Sequence, residues 1–117
     1  MATSGTQIIT NRARLFLSDV SANNYRWSDS QLLVFLNDGQ QIITEARPDS
    51  KLASDGSLLT VTDLAGIGSN ISIADKWRVP LAHFVTARAF EMPGQERLNL
   101  DAANHHDKMF WNYVKTM

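Results

Sequence analysis

Residues 27–49 read WSDSQLLVFLNDGQQIITEARPD, and this stretch decides the fold class. Ser28 stands where a helix N-cap would, with Gln31 three residues on, the two halves of a reciprocal capping box. Trp27 before the cap and Leu32 after it have the spacing of a hydrophobic staple, so a helix opens at Asp29. Leu32, Phe35, Leu36, Gly39, Ile42, Ile43 and Ala46 then recur at three and four residues, an apolar face about four turns long. Pro48 disfavours a helical Arg47, which closes the helix near Ala46. Gly39 in its middle costs about 1 kcal/mol relative to Ala, and a close approach by another backbone is the expected compensation.

Upstream, Ile8, Ile9, Leu15 and Phe16 share one helical stripe, which predicts a helix over residues 5–17. Residues 18–26, SDVSANNYR, read as a loop because Ser, Asp and Asn side chains compete for backbone hydrogen bonds; Val20 and Tyr25 pin it to the core. Downstream, Pro80 suits a first helical turn, and a helix over 80–91 carries Leu81, Phe84, Val85 and Arg88 on one side. Ala82, Ala87 and Ala89 leave it room for close packing, and Pro93 and Gly94 stop it. A last helix follows Asn99 as N-cap, with Leu100, Ala103, Asp107, Phe110 and Val114 stepping by three and four and Met109 and Trp111 flanking that seam. Asp101 lies near its positive end.

Between the two halves, residues 48–79 form a loop-rich connection. Over residues 48–75, Asp49, Asp55, Asp63 and Asp75 face Lys51 alone, and Gly56, Gly66 and Gly68 signal turns. Leu59 and Val61 could pair with Ile71 and Ile73 as a short β-hairpin. The expectation is an all-α chain: a four-helix bundle of two helical hairpins joined by a long irregular segment, in one domain over 1–117. On this reading residues 62–70 lie outside the helical seams, so shortening them would spare the fold of the monomer.

Composition narrows the function. The chain has 117 residues, a net charge of −1, 20% charged residues and no Cys. A length near the modal domain size argues for one core, and balanced charge points away from both basic nucleic-acid binders and acidic disordered tails. Without Cys there are no disulfides, thiolate ligands or Cys nucleophiles. No apolar run approaches the ~20 residues of a membrane span, and residues 1–10 have no secretory pattern.

Candidate chemistry is sparse. His105, His106 and Asp107 invite a metal reading together with His83, but adjacent His residues on a helix diverge by about 100°, whereas shared ligation wants spacings of three or four. Two solvent-facing or interface imidazoles are expected instead, with Asp107 pairing with Arg88 or Arg97. Gly66 and Gly68 lack the third Gly and the Lys of phosphate-binding loops, and read as a turn that permits rearrangement. Arg12, Arg14, Arg26, Arg78, Arg88 and Arg97 are spread over every helix. Neither an enzyme nor a cofactor or metal requirement is expected, and chelators and nucleotides should have no effect. Trp77, Phe90 and Trp111 lie beside the assignable seams and suit either an interface between subunits, as Arg and aromatic residues often do, or a second core layer.

The run RWSDSQLLVFLNDGQQIITEARPD (26–49), followed by IADKW (73–77), Leu81, Val85, ARAF (87–90), LNL (98–100), Ala103, His106 and Phe110, resembles the head–tail adaptor (connector) proteins of tailed bacteriophages, over about residues 8–114. That resemblance implies an all-α virion protein made in the host cytoplasm. Its copies would form a ring, dodecameric by analogy, in the neck between the portal protein and tail or tail-completion proteins. DNA would pass through the ring without specific binding, and no membrane is involved. The residues marked as structural or interface candidates are Trp27, Ser28, Gln31, Gly39, Arg47, Pro48, Gly66, Gly68, Trp77, Arg88, Phe90 and Trp111. Some adaptors carry a C-terminal arm that reaches the portal; this sequence stops at Met117, so docking is expected to use loops or the N-terminal segment. The alternative is a small helical DNA-binding or regulatory domain.

Overall fold

Four helices carry the chain in the computed structural model, which describes residues 3–17, 27–52, 55–92 and 99–117. The expected loop at 18–26, the Pro93–Gly94 stop, Arg26 and Arg97 lie outside the described residues. The protein is all-α, and no strand forms among the described residues. Helix α1 covers residues 5–17, α2 Asp29–Ala46, α3 Arg78–Phe90 and α4 Leu100–Thr116. Short 3-10 turns at Pro48–Lys51 and Asp75–Trp77 follow α2 and lead into α3. α3 is the central element and packs against each of the other three.

The start of α2 has the geometry its sequence specifies. The Gln31 N–H donates to Ser28 Oγ at 3.1 Å, and the Ser28 N–H donates back to Gln31 Oε1 at 3.0 Å. Trp27 and Leu32 both sit fully buried in the same core cluster. The Trp27 indole N–H donates to the Ala89 carbonyl at 3.1 Å, so the residue before α2 also satisfies an acceptor in the last turn of α3, where helix carbonyls lack partners. Gly39 permits a close approach, but by side chains rather than a backbone. A Cβ there would lie 3.0 Å from Leu81 Cδ2 and 3.0 Å from Phe84 Cδ2 of α3.

α1 departs from its expected stripe. Ile8 and Ile9 are buried, but Leu15 is 62% and Phe16 40% exposed. The cause is a π-helical turn over Ile9–Ala13. An i→i+5 turn takes in one residue more than an α turn, so everything after it lags by about 100° around the axis. Ala13, Arg14 and Leu17 face inward instead. A buried cation needs a partner, and Arg14 Nη2 donates to Asp29 Oδ1 at 2.7 Å, tying α1 to the first turn of α2.

The connection is a strap rather than a free loop. Leu64, Ile71 and Ile73 belong to the buried core, and Ile67 packs against it. The Asn37 side chain on α2 accepts from the Leu64 N–H at 2.8 Å. One turn on, the buried Gln40 accepts from the Ser72 N–H at 2.6 Å and donates to the Thr62 carbonyl at 3.3 Å. No β-hairpin forms: Ser72 Oγ donates to the Thr62 carbonyl, and the Ile71 N–H is taken by the Thr3 carbonyl. The strap also completes α1, whose first-turn N–H groups have no acceptor within the helix. Gly5 N–H donates to the Ser69 carbonyl at 2.8 Å and Thr6 N–H to the Ile67 carbonyl at 2.7 Å, while Ser4 and Gln7 form a second capping box. Shortening residues 62–70 would therefore remove core side chains and the cap of α1, and the expectation that the monomer survives it is corrected.

These contacts set the cost of single changes. Ser28→Ala is expected to lower unfolding free energy by about 1 kcal/mol and Trp27→Ala by about 3 kcal/mol or more, since one removes a cap and the other a fully buried ring. Denaturant midpoints at unchanged slope measure both, and two wild-type midpoints would contradict the joint described here. A Cβ at Gly5 would stand 2.7 Å from the Ile67 carbonyl oxygen, a backbone atom. Gly5→Ala should thus destabilise clearly, whereas Gly39→Ala should lie near neutral, because movable side chains give way and helix propensity returns about 1 kcal/mol.

Candidate functional site

The motif Arg47-Pro48-Asp49 builds a joint at one end of the bundle. Pro48 occupies the first position of its 3-10 turn, where a missing N–H costs nothing. The turn sets Asp49 opposite the guanidinium it follows, and the pair is bidentate: Arg47 Nε to Oδ1 at 2.9 Å and Nη2 to Oδ2 at 2.8 Å. That bond holds Asp49 below the usual carboxylate range and raises Arg47 above its own ordinary value. Arg47 Nη1 donates to the Val114 carbonyl at 2.7 Å, satisfying an acceptor in the last turn of α4. Its guanidinium lies 5.6 Å from the Trp77 ring centre, with the Lys76 ammonium at 5.8 Å. One side chain therefore links α2, α4 and the turn that enters α3.

Trp77 is fully buried in the core cluster, so of its two readings the core layer holds and the exposed interface aromatic does not. Its ring serves as the floor beneath Arg47. Phe90 is partly buried and meets the Trp27 ring edge-on at 6.1 Å. Arg88 is exposed, pairs with Glu91 at 3.3 Å and lies over Phe84, not with Asp107. Gly66 and Gly68 touch nothing that a Cβ would meet, and neither has positive φ. Among the described glycines only Gly56, at φ 87°, needs the left-handed region, beside an Asp55 carboxylate that Ser57 holds below its usual range.

A second cluster was not foreseen as such. His83 of α3 and His106 of α4 bring their Nδ1 atoms to 2.9 Å, and Phe16 of α1 stacks on His83 at 4.9 Å and meets His106 at a tilt at 5.1 Å. Phe90, Tyr113 and His105 complete the surround. Of the two imidazoles expected to face solvent or an interface, His105 is exposed while His106 is half-buried against α3. Burial, followed by the nearby imidazoles, pushes it down to about 4, and His83 is lowered for the same first reason.

Outside these joints the surface carries large apolar side chains on separate elements: Leu15 and Phe16 on α1, Val34 on α2, Leu52 and Leu58 beside the Gly56 turn, and Leu100 and Trp111 on α4. Leu58 is 76% and Trp111 38% exposed. Along the outer face of α4, Lys108 and Lys115 flank Trp111. No group of three or more His, Asp or Glu that could hold a metal ion occurs among the described residues, and no described helix is long and apolar enough to cross a membrane. Comparison of the chain with protein-family models, with curated proteins and with solved structures finds no match.

The Arg47 joint is open to direct measurement. Arg47→Lys keeps the charge but loses the bidentate grip and the planar stack on Trp77, so its thermal midpoint should fall further than that of Asp49→Asn. Calorimetry of both variants at neutral pH checks the order; an Arg47→Lys protein as stable as the parent would show that the fork geometry is immaterial.

Proposed function

We propose that this protein is a structural adaptor whose copies assemble head to tail into a ring at the head–tail junction of a tailed bacteriophage, between the portal and tail components. One observation carries the reading: large apolar side chains stand exposed on α1, on the strap near Gly56 and on α4, while the interior is already closed by its own joints. A ring of heterologous contacts buries two different patches on every copy, and patches on unlike elements supply that pairing. Aromatic side chains such as Trp111 and Phe16 suit the anchor positions of such contacts. The near-zero net charge also suits subunits that surround a DNA passage without gripping it. The resemblance across residues 26–49 and 73–110 to head–tail adaptors supplies the identity of the neighbours.

The strap cannot be shortened without loss of core, so assembly is tested on its exposed side chains. Leu58→Ser should leave the thermal midpoint within error and Trp111→Ser, which also loses the edge contact with Phe110, should lower it modestly, while both weaken ring formation, read as the mass of the purified chain alone and mixed with portal. In infected cells the same variants should yield filled heads that leak or lack tails. A parent chain that stays monomeric even with portal present, or variants that give normal tailed particles, would return the protein to the class of small helical domains. Retention on DNA that falls steeply with salt would favour the DNA-binding alternative.

A further inference from the structure

We propose that His83 and His106 form a proton-operated latch between α3 and α4, closed while one Nδ1–H spans the pair and released when both Nδ1 atoms carry a proton. The geometry comes first. At 2.9 Å the two Nδ1 atoms are at hydrogen-bond distance, and only one of them can hold the proton between them. In the neutral pair one ring donates from Nδ1 and the other accepts at Nδ1 while keeping its own proton on Nε2. A first added proton goes to the bare Nε2 of the donor ring and leaves the N–H···N bond in place, now charge-assisted. The second proton has only the accepting Nδ1 left. It sets two N–H groups and two positive charges against each other, and the bond is lost. The pair therefore titrates as a unit in two steps, and the second opens it.

Among the described residues around the pair, none brings a negative charge to offset that repulsion. α1 contributes Phe16 and α3 contributes Phe90, neither of which ionises. α4 contributes Tyr113 and His105, and the electrostatic influence of His105 lowers both imidazoles further. Among the described residues no carboxylate forms an ion pair or hydrogen bond with either ring. Both rings lie below the ordinary imidazole value of 6.5 in the closed form. The open form consequently takes up protons more readily, so the closed form is favoured above about 6.5 and loses ground as pH falls towards about 4. Release would unseat Phe16, which lies against both rings, and free the last turn of α1 and the first half of α4. The Arg47–Val114 bond, towards the far end of α4, holds no imidazole and would stay closed. The device rests on the α3–α4 geometry and is independent of the adaptor reading.

The test uses the intact chain in isolation. Amide hydrogen exchange, corrected for the pH dependence of the chemical step, should show residues 14–17 and 102–110 losing protection between pH 6.5 and 4, by up to tenfold per pH unit, the limit for one proton. Residues 29–46 should keep theirs. Nitrogen-15 spectra of the imidazoles should show His83 and His106 titrating in two linked steps, with one slowly exchanging Nδ1–H at neutral pH. His106→Phe, which keeps a ring and removes the titration, should abolish the pH dependence; if that variant does not fold, the spectra of the parent chain decide. The latch is overturned by two rings that titrate independently near the ordinary value. Protection lost uniformly along the chain, a His106→Phe variant with unchanged pH dependence, or one equivalent of zinc bound by the pair at neutral pH would overturn it equally.

Discussion

α3 is buried on nearly every side, and that single constraint organises the molecule. Of its thirteen residues, Pro80 to Ala87 and Ala89 are all buried. A helix so enclosed needs neighbours on all faces, and α1, α2 and α4 take those places. It also needs every polar group answered from within. Thr86 gives its hydroxyl proton to the Ala82 carbonyl one turn back, His83 meets His106, and the Ala89 carbonyl receives the Trp27 indole. Each of these is a polar bond placed where loss would leave an unsatisfied group in a low dielectric, at a cost of about 1 to 3 kcal/mol.

The enclosing helices are fastened to one another by side chains that reach between chain ends rather than along elements. Arg14 joins α1 to α2, Arg47 joins α2 to α4, and Asn37 with Gln40 binds the strap to α2. The arrangement gives a small helical protein definite register at each joint. Apolar packing alone tolerates sliding, because Leu and Ile are interchangeable at modest cost, whereas a fork on a carboxylate or an amide clamped on two backbone groups has one geometry.

Local chemistry was readable in the sequence and remote chemistry was not. The bounds of α2 follow from Ser28, Gln31 and Pro48, and the start of α4 from Asn99, whose side chain accepts from the Ala102 N–H. Those signals act within one turn. The same signal at Ser4 and Gln7 was there to be seen. Gln40 could also have been found, since it falls on the Leu36–Ile43 stripe where a polar residue needs a partner. The π turn left no mark in the pattern, because Leu15 and Phe16 have the spacing of a regular helix and face outward only when one extra residue is taken in. Trp77 looked peripheral because it precedes α3 and falls on no helical stripe, and its burial in the core cluster comes from packing that no local spacing encodes. The candidate site was legible as the motif Arg47-Pro48-Asp49 but not as a joint with Val114, and the approach of His83 to His106 depends on how α3 and α4 cross.

The strap's hold on α1 has a consequence for synthesis. Gly5 and Thr6 bond to Ser69 and Ile67, Thr3 bonds to Ile71 and Asp75, and Trp27 bonds to Ala89. α1 thus waits for partners made some sixty residues later, which at cellular elongation rates of about 5 to 20 residues per second means several seconds or more. Through that interval Ile8, Ile9 and Leu17 lack the cover of the strap and α3, and a helix as short as α1 is marginal in water on its own. Contacts so distant along the chain raise the contact order above that of a simple helical bundle and place the closing of the N-terminal segment late in folding. The nascent chain is then sticky for longer than its size suggests, and its yield in the cell is set by what shields that first helix while it waits.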